Sequence, residues 1–371
     1  MPISNIERLK TLLEQSELDA IVAVSPENVT YTCGVTIWTQ RSIRDRLAIV
    51  VWPRAGNPSV IVCNIEEPQT RAESFIQDVR SYIEFRVSPI EVLADVLREK
   101  GLAAGNIGVE FHYLSAHYAD ELRTLMPDAR LVECDRLFAQ TRMIKTDEEI
   151  RRLTHAARST ERALLATFAT THVGETEKSM AERLSANILL SGASKTEFFY
   201  INAGPNTGYP HSAAGQYQCR AGDIVKADCG GFYDGSFISD VARTGVIGKA
   251  SEEQRSIWDR LQQVHHACIS NARKGKRACD IFAAMTKEMA RVELHFSLPH
   301  AGHSVGLTAH ETPILSPMDQ TEIEPNMTFY IETRVRWPGK VGYHIEDLVV
   351  VSEQGPTVLT GAFNNSQLFE I

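Results

Sequence analysis

Four acids stand inside strand-like apolar runs in the second half of the chain. Asp228 lies in IVKADCGG, Asp240 in FISDVARTG, Glu332 in TFYIETRV and Glu346 in YHIEDLVVV. A carboxylate among such neighbours is costly to bury unless it is paired or holds a cation. Three histidines crowd one nearby segment, LPHAGHSVGLTAHETP, as His300, His303 and His310. Its Gly302 and Gly306 fit a backbone that passes close to a site. Carboxylates with one imidazole suit a divalent transition metal, and four carboxylates suit two metals that share bridging oxygens. A further histidine, His211, sits in GYPHSAAG, seventeen residues before Asp228.

The elements that must position these residues are legible in outline. Ser4 and Glu7 have capping-box spacing ahead of Ile6, Leu9, Leu12 and Leu13 on one helical face. DAIVAVS (19–25), LAIVVW (47–52), SVIVC (59–63) and IGVEF (107–111) read as strands, with the turn-rich PRAGNP between the second and third. Residues 89–102 and 118–127 read as helices. Such alternation predicts an α/β domain over 1–140. A long helix over 142–170 opens at Thr146 with acids in its first turn, and the boundary falls there. Over 141–371 a helix follows Gly174, with Met180, Leu184 and Ile188 on one face. Strand-like runs then dominate, interrupted by helices at about 251–273 and 278–293.

Composition narrows the function classes. The 371 residues carry 38 basic and 47 acidic side chains, a net charge of −9, which argues against a nucleic-acid partner. The seven cysteines are odd in number, widely spaced and form no C-x-x-C, so free thiols in a reducing cytosol are expected. The N-terminal MPISNIERLKTLLEQSE lacks the apolar core of a signal peptide. No apolar run approaches the ~18 residues of a membrane span. A cytoplasmic protein without membrane partners is the expectation.

The order and spacing of the acids and of His303 resemble the pita-bread metallohydrolase family, which includes methionine aminopeptidase, aminopeptidase P, prolidase and creatinase. SPENVTYTCG (25–34) and RMIKTDEEI (142–150) are similar to signatures of its two-domain branch. The resemblance implies an α+β chain: a C-terminal pita-bread fold, with a curved antiparallel sheet covered by helices, after a smaller α/β creatinase-type domain. It implies that Asp228, Asp240, His303, Glu332 and Glu346 bind two divalent ions, manganese first, with cobalt, zinc or iron as alternatives. Asp240 and Glu346 would bridge them, and water held between two such ions becomes a nucleophile near neutral pH. Glu332 matches the general base and acid. His310, seven residues after His303, matches a histidine at the scissile bond, and His211 one that contacts the substrate or tetrahedral intermediate. His300 and His344 are candidate substrate contacts. The branch also implies a homodimer whose N-terminal domain covers the partner's site, with Trp38 and Arg41 at the pocket edge.

Three departures from the family pattern stand out. The two aspartates are twelve apart, where the family usually has eleven, and one extra strand residue reverses a side chain's face unless a bulge or longer turn absorbs it. Asp234-Gly235 is the expected place. Glu332 is followed by Thr333 and Arg334 in ETRVRWPGK rather than by Pro-Gly, and His344 stands where many peptidase members have arginine. Histidine cannot supply arginine's bidentate fork. Arg334 and Arg336 are expected on a solvated face. The implied function is hydrolysis of Xaa-Pro bonds in small peptides, as a dipeptidase or aminopeptidase. The alternatives are a hydrolase of a small non-peptide C–N substrate, similar to ectoine hydrolase or creatinase and favoured by His344 and Thr333, a lyase on the same fold, or a non-catalytic binding protein.

Overall fold

The computed structural model describes residues 4–295, 298–361 and 366–371. The chain divides into two compact units, Met1–Arg142 and Met143–Ile371. In the first, six strands form one sheet: β1 (Ala20–Ala23), β2 (Ile49–Pro53), β3 (Ser59–Cys63), β4 (Asp78–Tyr82), β5 (Asn106–Val109) and β6 (Arg130–Glu133). Their order is β4-β3-β2-β1-β5-β6, with β1 and β3 each antiparallel to β2 and the other pairs parallel. Period-2 alternation sends Ile21 and Ala23 to one apolar cluster and Ala20 and Val22 to the other, so the central strands are buried on both faces. The first helix, Ile6–Gln15, is capped by Asn5, whose side chain accepts from the Arg8 N–H, and not by the expected Ser4–Glu7 pair. A helix not expected from the sequence runs from Pro26 to Cys33, capped by Ser25 and ended by Gly34 at φ +80°.

The helix expected over 142–170 runs from Asp147 to Ala169, and a separate helix not expected from the sequence, Asp135–Met143, precedes it. Thr146 and Glu149 form a reciprocal capping box at the start of the longer one. The second unit then builds two sheets. One runs β16-β10-β8-β7, from β7 (Lys195–Ala203), β8 (Ile224–Tyr233), β10 (Val241–Val246) and β16 (Phe369–Glu370), with the short β9 (Phe237–Ile238) on β8. The other runs β12-β11-β13-β14-β15, from β11 (Gly302–Ser304), β12 (Glu311–Ile314), β13 (Thr328–Trp337), β14 (Val341–Ser352) and β15 (Gly355–Val358).

Alternation along these strands decides where chemistry can occur. On β13 and β14, Phe329, Ile331, Val335, Tyr343, Ile345 and Val349 join a core with helices Glu252–Asn271 and Ala278–Arg291. On β8, Val225, Ala227 and Cys229 pack against helices Asp147–Ala169 and Glu177–Leu190. The even-numbered residues of all three strands therefore face the other way, and they include Asp228, Glu332, His344 and Glu346. β10 and β14 are tied together: the Thr244 hydroxyl donates to the His344 carbonyl and accepts from its N–H, both at 2.9 Å.

Gly302 holds β11 tight against β13. Its φ is +136°, and a Cβ there would lie 2.0 Å from the Tyr330 carbonyl oxygen. Gly302→Ala should therefore destabilise the second unit by roughly 2–4 kcal/mol, read as a lower unfolding midpoint by circular dichroism in denaturant.

Candidate metal centre

The extra residue between the two aspartates lies in a turn. Asp234, Gly235 and Ser236 all have positive φ and join β8 to β9. Tyr233 pairs with Phe237, Phe232 with Ile238, Cys229 with Val241 and Asp228 with Ala242, so one register holds from the turn through β10. That register sets Asp240 opposite Gly230, two residues along from the Asp228 rung and so on its face. Gly230 is required there, since a Cβ would meet the Ser239 carbonyl oxygen at 2.0 Å.

Glu332 and Glu346 form a directly opposed pair on β13 and β14, and Arg334 and His344 form the next same-face rung. Oxygens of Asp228, Asp240 and Glu346 lie within 4.8 Å of one another, all buried. His303, from β11, points its Nε2 at both bridging candidates: 3.7 Å from Asp240 Oδ2 and 3.8 Å from Glu346 Oε1. Asp240 Oδ1 and Glu346 Oε1 are buried without a hydrogen-bond partner. Buried carboxylate oxygens without hydrogen-bond partners fit a divalent cation. The donor set, oxygen-rich with imidazole, is that of a transition-metal site.

The electrostatics agree with that fit. Burial, reinforced by the neighbouring acids, pushes the Asp240 and Glu346 carboxyls well above the usual range. For Glu332 burial acts in the same direction. Contacts with His300 and His344 and the Arg334 charge outweigh it and hold the carboxyl well below its ordinary value. Burial and the His310 ring push His303 down to about 3, so its imidazole is neutral. Burial lowers His310 and His344 as well.

Behind the acids, on the helix side, lies a second set of polar groups that is internally paired. Arg243 pairs with Glu161 and, at 2.7 Å, with Asp347, and it donates to the Glu346 carbonyl at 2.5 Å. His265 bonds Asp347 and Thr333, each at 3.0 Å, and Thr360 donates to Asp347. These contacts fix the odd-numbered neighbours of the site strands, and through them the rungs that carry the acids. None of Arg243, Glu161, Asp347 or His265 was singled out from sequence, although Arg243 stands in the DVARTG run after Asp240. Thr333 faces this network, not the cavity.

The cavity over the acids has a volume of about 270 Å3 and is lined by Phe198, Tyr200, His211, His300, His310 and Arg334 together with the site acids. His310 stacks on His303 with ring centroids 3.8 Å apart. His300 Nδ1 lies 2.9 Å from Glu332 Oε1, which places it at the acids rather than merely near them. His211 is exposed and tilts against Tyr200, centroids 5.1 Å apart. Arg334, expected on a solvated face, is largely buried, with Nη2 3.3 Å from Glu332 Oε2. His344 is buried among the acids rather than lining the cavity. The segment between His303 and His310 is braced from below: buried Glu311 accepts from the Leu307 N–H at 2.9 Å, and Lys145 donates to Ser304 at 3.0 Å. Gly306 is needed there, because a Cβ would lie 2.6 Å from the Glu311 carboxylate.

This fold and donor set define a metallohydrolase. Residues 151–353 match metallopeptidase family M24, and residues 5–144 match the creatinase/prolidase N-terminal domain. The first match spans more than half of the chain, and the chain belongs to that family. It is a metal-dependent hydrolase of the peptidase class, on the α+β fold expected. It is 25% identical over 355 residues to an Xaa-Pro dipeptidase of Lactobacillus helveticus, covering 95% of each chain. It is 28% identical over 321 residues to a probable dipeptidase PepE of Mycobacterium bovis, covering 84% of this chain and 82% of that one. The crystal structure of dipeptidase PepE from Mycobacterium ulcerans superposes with a TM-score of 0.86 at 26% identity, covering 99% and 98% of the two chains.

The raised Asp240 and Glu346 carboxyls must lose their protons when a cation binds, whereas neutral His303 has none to lose. Titration calorimetry with manganese in buffers of different ionisation enthalpy should therefore show net proton release near neutral pH, with affinity rising as pH rises from ~5 to ~8. Uptake without proton release would contradict these protonation states.

Proposed function

We propose that the protein is a dinuclear-metal hydrolase of short peptides that cleaves Xaa-Pro bonds, as a dipeptidase or aminopeptidase. The observation that carries this reading is the convergence of buried, unpartnered Asp240 and Glu346 oxygens with Asp228 and His303 on the floor of a small cavity. Asp228, Asp240, His303, Glu332 and Glu346 would hold two divalent ions, manganese first. Bound ions supply Lewis acidity and a water nucleophile near neutral pH.

The remaining steps belong to side chains. Glu332 takes a proton from the attacking water and returns it to the departing nitrogen. His300 and Arg334 orient it: His300 Nδ1 lies 2.9 Å from Oε1, to which Arg334 also donates at 3.4 Å, and the guanidinium stands 3.3 Å from Oε2. His310, neutral near pH 7, donates one hydrogen bond to the oxyanion that develops on the carbonyl. His211 and Tyr200 hold the substrate from the open side. Arg334, whose Nε has no partner, supplies at the cavity wall the positive charge that a peptide carboxylate needs. It stands directly across the rung from the position where many family peptidases carry arginine. The cavity lies below the ~300–1,000 Å3 of drug-sized pockets, which supports a short substrate. The proposal includes a cytoplasmic homodimer. All seven cysteines are free, as a reducing compartment requires, and among the described residues no helix is long and apolar enough to cross a membrane.

His344 in place of arginine supports a second reading, hydrolysis of a small non-peptide C–N bond. A panel on manganese-reconstituted protein separates the two: Xaa-Pro dipeptides, longer Xaa-Pro peptides, non-proline dipeptides, creatine and ectoine. Turnover of Xaa-Pro dipeptides or tripeptides is expected, and failure on all of them removes the peptidase reading. On the best substrate, Glu332→Gln should retain part of the metal and lose ~10²–10⁴-fold in kcat. Rates like those of the wild type would remove Glu332 from the proton-transfer role.

A further inference from the structure

We propose that His344 is itself a metal ligand, so that the centre carries a second imidazole, opposite His303, in addition to the four carboxylates. The inference rests on the reading that these acids bind divalent ions.

His344 is 1% exposed, and its Nε2 has no hydrogen-bond partner. That nitrogen lies 3.3 Å from Glu332 Oε2 and 3.8 Å from Glu346 Oε2, and the three residues form one of the groups among the described residues whose donor atoms are spaced to hold a single ion. Two donors that each sit ~2.0–2.2 Å from a shared ion, at tetrahedral or octahedral angles, lie ~3–4 Å apart, as these do. A buried imidazole nitrogen aimed at two carboxylate oxygens, near enough to share an ion with them yet without hydrogen-bond geometry, is what a ligand looks like before its ion is added. The ring's other nitrogen, Nδ1, stands 3.6 Å from Asp228 Oδ2, so His344 touches three of the five acids and imidazoles assigned above.

Backbone and charge both favour this role over substrate contact. The Thr244 hydroxyl grips the N–H and the carbonyl of residue 344, which fixes the side chain over the acids. The cation of this rung has moved across the ladder: Arg334, opposite His344, now carries the guanidinium at Glu332. A long arginine at 344 would occupy this space with donors only, whereas a histidine leaves a lone pair for a metal. A second imidazole also changes metal preference, since nitrogen ligands favour zinc, cobalt or iron over manganese relative to an all-oxygen set.

The test is zinc K-edge X-ray absorption on the full chain loaded with Zn2+ alone, with bound zinc counted by elemental analysis. Multiple scattering from imidazole gives the number of histidine ligands per chain. Two imidazoles per chain are expected in the wild type, and one in His344→Gln and in His344→Arg, the latter restoring the residue common in the family. Zinc should bind the variants ~10–100-fold more weakly, with a smaller loss for manganese. One imidazole per chain in the wild type, or two that persist in the variants, overturns the inference while leaving the metal centre intact. Absence of bound zinc overturns both. The wild-type count needs no variant, so a variant that fails to fold does not protect the proposal.

Discussion

Mutual repulsion among buried carboxylates is the constraint on which this structure turns. Asp228, Asp240, Glu332 and Glu346 are each no more than 5% exposed, and they face one another across two sheets. Like charges at such spacing in a poorly polarisable interior cannot all ionise unless positive charge lies among them. The protein supplies some of it through Arg334, which lies with His300 and His344 at Glu332. Asp240 and Glu346 have the neutral His303 beside them and feel Arg334 only as a lesser influence, so burial and the neighbouring acids prevail. The deficit is greatest there, and it is the deficit that specifies a cation.

The opposite faces of the same strands show how the fold tolerates this. Glu161, Arg243, Asp347, His265 and Thr333 form a network in which each acid has its partner. Arg243 donates to the Glu346 carbonyl, so the satisfied network grips the backbone that carries an unsatisfied acid. Burial of such a network adds little stability of its own, since desolvation offsets the Coulombic gain. Its effect is geometric: it fixes register and rung height for side chains that repel one another. One face of β14 is thus closed to further binding and the other is held open for it.

Much of this was legible in the sequence because period-2 alternation encodes the facing of every strand residue. The acids in apolar runs, the strands β1 to β3 and β5, and the long helices of the second unit all carry that signal or its helical counterpart. The edge strands β4 and β6 escaped because their sequences, DVRSY and RLVE, are polar and only partly buried. The Pro26–Cys33 helix escaped because its threonines and valine weigh against helix, although Ser25, Pro26 and Gly34 mark its ends. The twelve-residue spacing of the aspartates could not be resolved in advance. Whether an extra residue enters a turn or a strand depends on left-handed backbone at Asp234, Gly235 and Ser236, of which only the glycine announces itself. Arg334 was misplaced on a solvated face because its burial depends on which element covers that side of β13.

If buried repulsion awaiting a cation is the central fact, stability and charge should cross over with metal. The direct measurement is the unfolding temperature of the wild type and of the Asp240→Asn, Glu346→Gln double variant, each with chelator and with excess manganese. Removing the repulsion should leave the double variant more stable than the wild type in chelator, while manganese should stabilise the wild type alone and reverse the order. A double variant that is less stable in chelator, by the same margin as in manganese, would show that these carboxylates are ordinary structural groups and would contradict the account.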